Sequence, residues 1–492
     1  MKNKYVAIII AVAAIAVIVI YNFSISSADR EKSIVLHEDF IYEDPPGSFD
    51  REVFADRRDE MMDKTGEGVA VISVAAGDDF FYLTGFEEQR GTAVIINSGD
   101  ERKFKMFVPP RQPHQTLWYG EVHGVEGAVE KFGADTAYPL ESLREELSEL
   151  LEGQERIFIH SNDSGTMYTV RQVLGETAAD GEIVEFEPYI HEMRVTKDKW
   201  EITQLRHSVE VTARAHRRAM KTVQPGQKEY DVQAEIEYVF KKNGLEPGFP
   251  SIVGSGPNAT VLHYRDNDRE MKEGDLLLMD VGAESKGGYV ADVSRTIPVN
   301  GKFSPEQKEL YELVLKATDE AIELMTPGNR MLDCHHRATE ILTDGLYELG
   351  LITDTTKWWQ KRFYVHYRKN HYIGLNVHDV GSYGDFDPDD RDSYLLNRDV
   401  RGRKIVPGMV MTIEPGIYLD EGRLDHLYEI FGDEVDKEEL DAFAEEVRPV
   451  YEKYAGTGIR IEDDILITLD GNENLSKNAP RTVTEIERLM SR

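Results

Sequence analysis

Single acids set inside otherwise apolar, strand-like runs constrain this chain more than any other feature. GDLLLMDVG reads as a buried strand ending near Asp280, and GGYVADVSRTIPV as its hairpin partner carrying Asp292. The GAESKGG between them is turn-like. VMTIEPGIYL and GIRIEDDILIT repeat the pattern with Glu414 and Glu462. Strand side chains alternate faces, so Asp280 falls with Leu278, and Asp292 with Val290 and Ser294. Arg460 shares a face with Glu462, while Ile459 and Ile461 take the other. An acid among Ile, Leu and Val is costly unless it is paired or bound to metal. His371, in NHYIGLNVHDVG, adds an imidazole to the set. One acid at a strand end is ordinarily solvated, but that account strains when it is repeated along the chain. Four carboxylates and an imidazole make a hard, mostly oxygen donor set, suited to manganese, cobalt or zinc. A catalytic zinc takes about three protein ligands. A larger set implies two ions sharing carboxylates, and so a dinuclear metallohydrolase.

FPSIVGSGPNATVLHY, MDVGAE, ADVSRTIPVNGKFS, NHYIGLNVHDVG, TIEPGIY and GIRIEDD follow one another in the second half. FFYLTGFEE, FVPPR and EKFGADTAYPL precede them. On these motifs the chain resembles the pita-bread metallopeptidases, and among them the aminopeptidase P and prolidase group, from about residue 48 to residue 492. The resemblance implies an α/β N-terminal domain followed by an α+β pita-bread catalytic domain. It implies release of the N-terminal residue from Xaa-Pro peptides by attack of a metal-activated water. Asp280, Asp292, His371, Glu414 and Glu462 would hold two divalent ions, manganese foremost, with cobalt or zinc as alternatives. Asp292 and Glu462 would bridge the ions, and Glu414 would also handle the proton of the attacking water. His263 in TVLHY and His378 in NVHDVG would contact substrate and stabilise the reacting carbonyl, and Arg460 would orient Glu462. The same likeness implies a homo-oligomer, dimer or tetramer. A prolidase-type dipeptidase is not separated by motif. A non-catalytic binding protein of the same fold would have lost ligands that this chain retains.

The chain departs from the family in two places. Tyr367 and Arg368 stand where the family normally has histidine and glycine, and His366 lies one position earlier. That reads as one extra residue in HYRKNH, with His366 still a candidate for the cleft. Asp280 and Asp292 are also one residue farther apart than usual, with Gly287-Gly288 expected to absorb the difference as a bulge.

At 492 residues the chain is long enough for two domains with their own cores. A formal net charge of -34 excludes a nucleic-acid partner, which needs a basic footprint. Cys334 is the single cysteine, so no disulfide forms within the chain. Cys334, His335 and His336 are adjacent on a helical pattern and point in different directions, which argues against a metal cluster. Lys2 and Lys4 precede an uncharged apolar run from Tyr5 to Tyr21. This reads as a membrane anchor or a signal peptide, with small residues at Ser26-Ser27-Ala28 for cleavage, and in either case an exported enzyme. Contact with a membrane would run through this segment alone.

The expected division is 1–28 signal or anchor, 29–47 tether, 48–190 α/β domain and 191–492 catalytic domain. Residues 48–190 show no acid, base or ligand cluster in sequence, and by resemblance they would help wall the cleft and meet other subunits. Ser304-Pro305-Glu306-Gln307 is a capping box opening a helix that ends at Pro327-Gly328. Residues 420–457, rich in acids, read as a helical surface excursion between the two ligand strands.

Overall fold

In the computed structural model, residues 46–491 are described apart from 113, 115–116, 119, 121, 178–181, 366 and 385–400. The expected signal or anchor, nearly all of the tether, and His366 therefore lie outside the described residues. Among the described residues no helix is long and apolar enough to cross a membrane.

The first half is built on a six-stranded mixed sheet. Strands β1 (Gly68–Ser73), β2 (Thr92–Asn97) and β3 (Arg102–Val108) form an antiparallel meander. β4 (Thr136–Pro139) joins β3 in parallel, while β5 (Arg156–Ile159) and β6 (Glu182–Glu185) extend the other edge in parallel. GVAVIS and TAVIIN are apolar on both faces because both faces are covered. Val69, Val71 and Val94 share one core with Leu147 and Val170. The alternate residues Ala70, Ile72, Ala93 and Ile95 belong to a core that includes Tyr289, Ala291 and Ile373 of the second half. The halves are thus joined through one apolar layer. Helices α1 (Arg51–Thr65) and α2 (Asp78–Thr84) contribute Met61, Phe80 and Leu83 to that layer.

Helix α3 (Glu187–Val195) crosses the expected boundary near residue 190. A reciprocal capping box between Asp198 and Glu201 then opens α4 (Lys199–Thr222). In the second half, α5 (Glu229–Lys242) precedes the short β7 (Glu246–Pro247), then β8 (Ile252–Ser255), β9 (Leu276–Val281), the short β10 (Ala283–Glu284) and β11 (Val293–Pro298). β9 lies between β8 and β11, and Asp280 is paired with Ile252 on one side and Ser294 on the other. The β9–β11 hairpin matches the expectation. Its extra residue does not form a bulge in the ladder. Gly288 takes a φ of +83° and its N–H donates to the Ser285 carbonyl at 2.9 Å, so a tight turn absorbs it. Helix α6 (Pro305–Glu323) starts at the predicted Ser304–Gln307 box, and α7 (Met331–Glu348) carries the buried Cys334.

The two remaining ligand segments were expected to be continuous strands, and each is broken in two. β12 (Val410–Ile413) and β13 (Gly416–Leu419) are separated at Glu414-Pro415. β14 (Thr457–Arg460) and β15 (Asp463–Ile467) are separated at Ile461-Glu462. β12 pairs with β15, β13 with β14, and β16 (Asn472–Asn474) adds to β15. The breaks have a backbone cause. Pro415 has no N–H to give a ladder. The Glu414 N–H donates instead to the Lys369 carbonyl at 2.9 Å, and the Glu462 N–H to the Ser294 carbonyl at 3.1 Å. Residues 420–457 form the expected helical excursion. In its α8 (Lys437–Tyr454), Leu440, Phe443 and Val447 face inward while Asp441, Glu445 and Glu446 are exposed.

Candidate metal centre

Asp280 is the penultimate residue of β9, and Asp292 immediately precedes β11, so the hairpin delivers both acids to the same end. Glu414 and Glu462 occupy the two strand breaks. His371 enters on the segment that runs beside β12, its carbonyl accepting from the Thr412 N–H at 2.9 Å. All five line one cavity of about 520 Å³, together with His263, His378 and Arg460. The described candidates therefore converge, from segments 168 residues apart in the case of Ser294 and Glu462.

His371 Nε2 is the hub. It lies 3.5 Å from Asp292, 3.7 Å from Glu462 and 3.8 Å from Glu414. Its Nδ1 donates to the Tyr372 carbonyl at 3.0 Å, which fixes the ring and leaves Nε2 facing the acids. Asp292, His371 and Glu462 can each offer a donor atom within 4.8 Å of the others. The His371 and His378 rings meet at 4.4 Å.

The site is crowded with buried anionic groups. Burial, and then the charges of Glu462 and Asp280, push the Asp292 carboxyl well above its ordinary range. Burial and Glu462 push Glu414 up to about 8. Burial works against a charged His371, but its hydrogen bonds to Asp292 and Glu462 prevail and raise its pKa well above the usual value. Burial, with His371 and His263 nearby, lowers that of His378. Asp280 Oδ1 and Asp292 Oδ1 are buried and accept no hydrogen bond from the protein. Such atoms carry a desolvation penalty that a cation would remove. The donor set fits divalent metal.

Neighbours hold the carboxylates. Ser294 Oγ donates to Glu462 at 2.7 Å and accepts from Arg460 Nε at 2.8 Å. Arg460 donates to Tyr418 Oη at 2.8 Å and to the carboxylate of Asp280. Arg460 Nε stands 3.7 Å from Glu462, so its closest engagement is with Asp280, and Ser294 does most to orient Glu462. The Asp292 N–H donates to Asp464 at 3.0 Å. Arg295 and Asp463, both fully buried, pair at 2.6 Å and pin β11 to β15 behind the site.

Sequence reasoning missed several wall residues. Tyr367, Arg368, Asn370, Tyr383 and Leu262 also line the cavity. Tyr367 donates to the Glu414 carbonyl at 2.8 Å and meets Tyr418 Oη at 3.2 Å, so the residue at the family's histidine position is itself at the site. The departure in HYRKNH was the available signal, although it directed attention to His366. Tyr264 takes no part in the centre; it donates to Glu229 at 2.9 Å.

A titratable cluster straddles the expected boundary at residue 190, with Asp79 and His160 before it and His191 and Arg194 after it. His160 and His191 each place Nε2 2.9 Å from Asp79 Oδ2, and Arg194 pairs with Asp79 Oδ1 at 2.6 Å. Sequence gave no signal because Asp79, His160 and the α3 pair His191 and Arg194 are far apart in the chain. The Asn162 N–H donates to His160 Nδ1 at 3.2 Å, which leaves Nε2–H to donate to Asp79. Burial opposes the Asp79 charge, but the two histidines and Arg194 hold it ionised well below the usual range. Arg194 already supplies the cation there. Among the described residues, the cavity wall at the metal centre comes from the second half alone, not from residues 48–190.

A profile of metallopeptidase family M24 matches residues 203–469, and one of the aminopeptidase P N-terminal domain matches residues 76–159. The chain is 34% identical over 475 residues to the Xaa-Pro aminopeptidase of Escherichia coli (strain K12), covering 89% of this chain and 98% of that one. It is 32% identical to the human Xaa-Pro dipeptidase, over 84% of each chain. A solved structure of zinc-substituted Escherichia coli aminopeptidase P in complex with product aligns with a TM-score of 0.77 at 33% identity, covering 90% of this chain and 98% of that one. With its donors gathered in the half that the first profile matches, the chain belongs to metallopeptidase family M24, and it carries the N-terminal domain of aminopeptidase P.

Proposed function

We propose that this hydrolase is a dinuclear metal-dependent aminopeptidase that removes the N-terminal residue from Xaa-Pro peptides. The observation that carries it is the single cavity in which Asp280, Asp292, His371, Glu414 and Glu462 surround one another, with His263 and His378 on its wall. Two divalent ions held by these five would supply Lewis acidity toward a carbonyl and a water acidified to a pKa of about 7. Oxygen donors in this proportion favour manganese, with cobalt or zinc as alternatives. Asp292 and Glu462 would help hold both ions.

The chain's own groups account for the rest of the chemistry. Glu414, whose carboxyl lines the same cavity, is placed to accept a proton from the attacking water and return it to the leaving nitrogen. Proline's nitrogen needs that proton to depart as an amine. His378, its pKa lowered, is a neutral imidazole near pH 7 that donates an N–H toward the carbonyl oxygen as negative charge develops there. His263 completes the substrate wall. Arg460 and Ser294 keep the carboxylates of Asp280 and Glu462 in position.

Export is proposed from Lys2, Lys4 and the apolar run that follows, and a homo-oligomer from the resemblance alone. The deciding assay offers manganese-loaded protein Xaa-Pro dipeptides, longer Xaa-Pro-Yaa peptides and matched peptides lacking proline. Cleavage ahead of proline, with none of the proline-free peptides turned over, is the expected result. No metal-dependent cleavage of any of them would sink the reading.

A further inference from the structure

We propose that Arg368 is a specificity determinant, whose guanidinium takes the terminal carboxylate of a short peptide on the leaving side of the scissile bond. The inference rests on the Xaa-Pro peptidase reading and deepens it by naming what selects substrate length. Arg368 lines the same cavity as the acidic cluster and is exposed within it. Its guanidinium carbon lies 4.0 Å from the centroid of the Tyr383 ring. Stacking on a ring fixes the plane of the guanidinium and leaves its N–H edge open. Among the described residues no carboxylate pairs with it.

The other strong cations of this region are already engaged. Arg460 is taken by Asp280, Tyr418 and Ser294. Lys369 Nζ donates to the Tyr367 carbonyl at 2.6 Å and lies 3.5 Å from the Tyr367 ring centroid. Arg368 alone on the described wall offers a planar pair of N–H donors to an incoming anion. A peptide with neutral side chains has one anion, its terminal carboxylate. In a dipeptide that carboxylate belongs to the residue just past the scissile bond, about 3.8 Å per residue along the chain. A fork of N–H groups matches it with two parallel hydrogen bonds.

A carboxylate could also come from an acidic side chain farther along a longer peptide, and the test separates the two sources. Full-length, manganese-loaded wild type, Arg368→Met and Arg368→Lys are compared on Ala-Pro, Ala-Pro-amide, Ala-Pro-Ala-amide and Ala-Pro-Asp-amide. Wild type is expected to favour Ala-Pro over its amide. Arg368→Met should reduce that acid-to-amide preference about tenfold, through KM rather than kcat, as loss of a charge-assisted hydrogen bond implies. Arg368→Lys should recover part of the preference, because a point charge replaces the fork incompletely. An equal loss on acid and amide overturns the proposal, since that is the signature of a structural role. So does an unchanged preference. A loss confined to Ala-Pro-Asp-amide would assign the guanidinium to a side-chain carboxylate and overturn the terminal one. If wild type cleaves none of the four, the peptidase reading itself fails and this inference falls with it.

Discussion

The guanidinium of Arg194 donates to the carboxylate of Asp379 at 2.5 Å, and the two side chains are 2% and 1% exposed. Asp379 follows His378 directly in sequence, and its second oxygen accepts from Lys197 at 3.0 Å. Through Arg194 the loop bearing His378 is tied to Asp79 in the first half. A side chain on Gly374 would collide with the Asp379 carboxylate, its Cβ falling 2.1 Å from Oδ2, so the loop is closed tightly around this ion pair.

Arg194→Met should therefore leave Asp79 and Asp379 buried without their shared partner. Breaking a buried pair from one side costs about 3–5 kcal/mol. Urea unfolding of metal-loaded protein measures it. A change below about 1 kcal/mol, the range of a surface pair, would contradict the assignment of this network as a clamp between the halves.

Under the proposed function Asp292 and Glu462 would each serve both ions. Asp292→Ala or Glu462→Ala should then each remove both ions and abolish hydrolysis, read by elemental analysis of the purified variants. Two ions still bound to Asp292→Ala would defeat the dinuclear assignment.

Arg460 holds Asp280 without being a donor to metal itself. Removing such a supporting partner typically weakens metal affinity about 10–100-fold. Arg460→Met should show that loss in a metal titration, with a smaller loss for Ser294→Ala, which still leaves Arg460 beside Glu462. Unchanged affinity in Arg460→Met would mean that Asp280 is positioned by its strand alone.

His216, which is not itself a candidate ligand, gives a pH prediction. It is fully buried, its Nε2–H donating to the Val293 carbonyl at 2.9 Å, and burial followed by the Arg295 charge lowers its pKa to about 3. Unfolded, it titrates near 6.5, so below that pH the unfolded chain binds a proton that the folded chain refuses. Stability from this group is intact above about pH 6.5 and falls toward pH 3 by at most about 1.4 kcal/mol per pH unit. His216→Gln should flatten the decline in unfolding free energy between pH 6.5 and pH 5 relative to wild type. Parallel profiles would refute it.

The convergence of the candidate ligand acids was legible because each interrupts a run of Leu, Ile or Val, and such an interruption needs a physical reason. The β9–β11 hairpin and the Ser304 cap were legible because their signals are local. The strand breaks at Glu414 and Glu462 were not. Alternation of side chains says which face a residue takes, but the departure of a backbone N–H to Lys369 or Ser294 depends on segments distant in sequence. The Asp79, His160 and His191 cluster was hidden for the same reason, as each belongs to a different element with an unremarkable local pattern. Tyr367 and Arg368 were seen as anomalies, yet their place on the cavity wall follows only from the fold.

The contacts that close the metal centre also set when it can exist. Ser294 meets Glu462 across 168 residues, and Arg460 meets Asp280 across 180. Joining such distant stretches requires the entropy of closing a long loop to be met first, and topologies dominated by these contacts fold slowly. On the ribosome, a chain that has made Asp280, Asp292 and His371 still lacks Glu462 and the strand that brings it in. If Glu462 is a ligand as proposed, hydrolytic power would arrive only after nearly the whole chain has been made and folded.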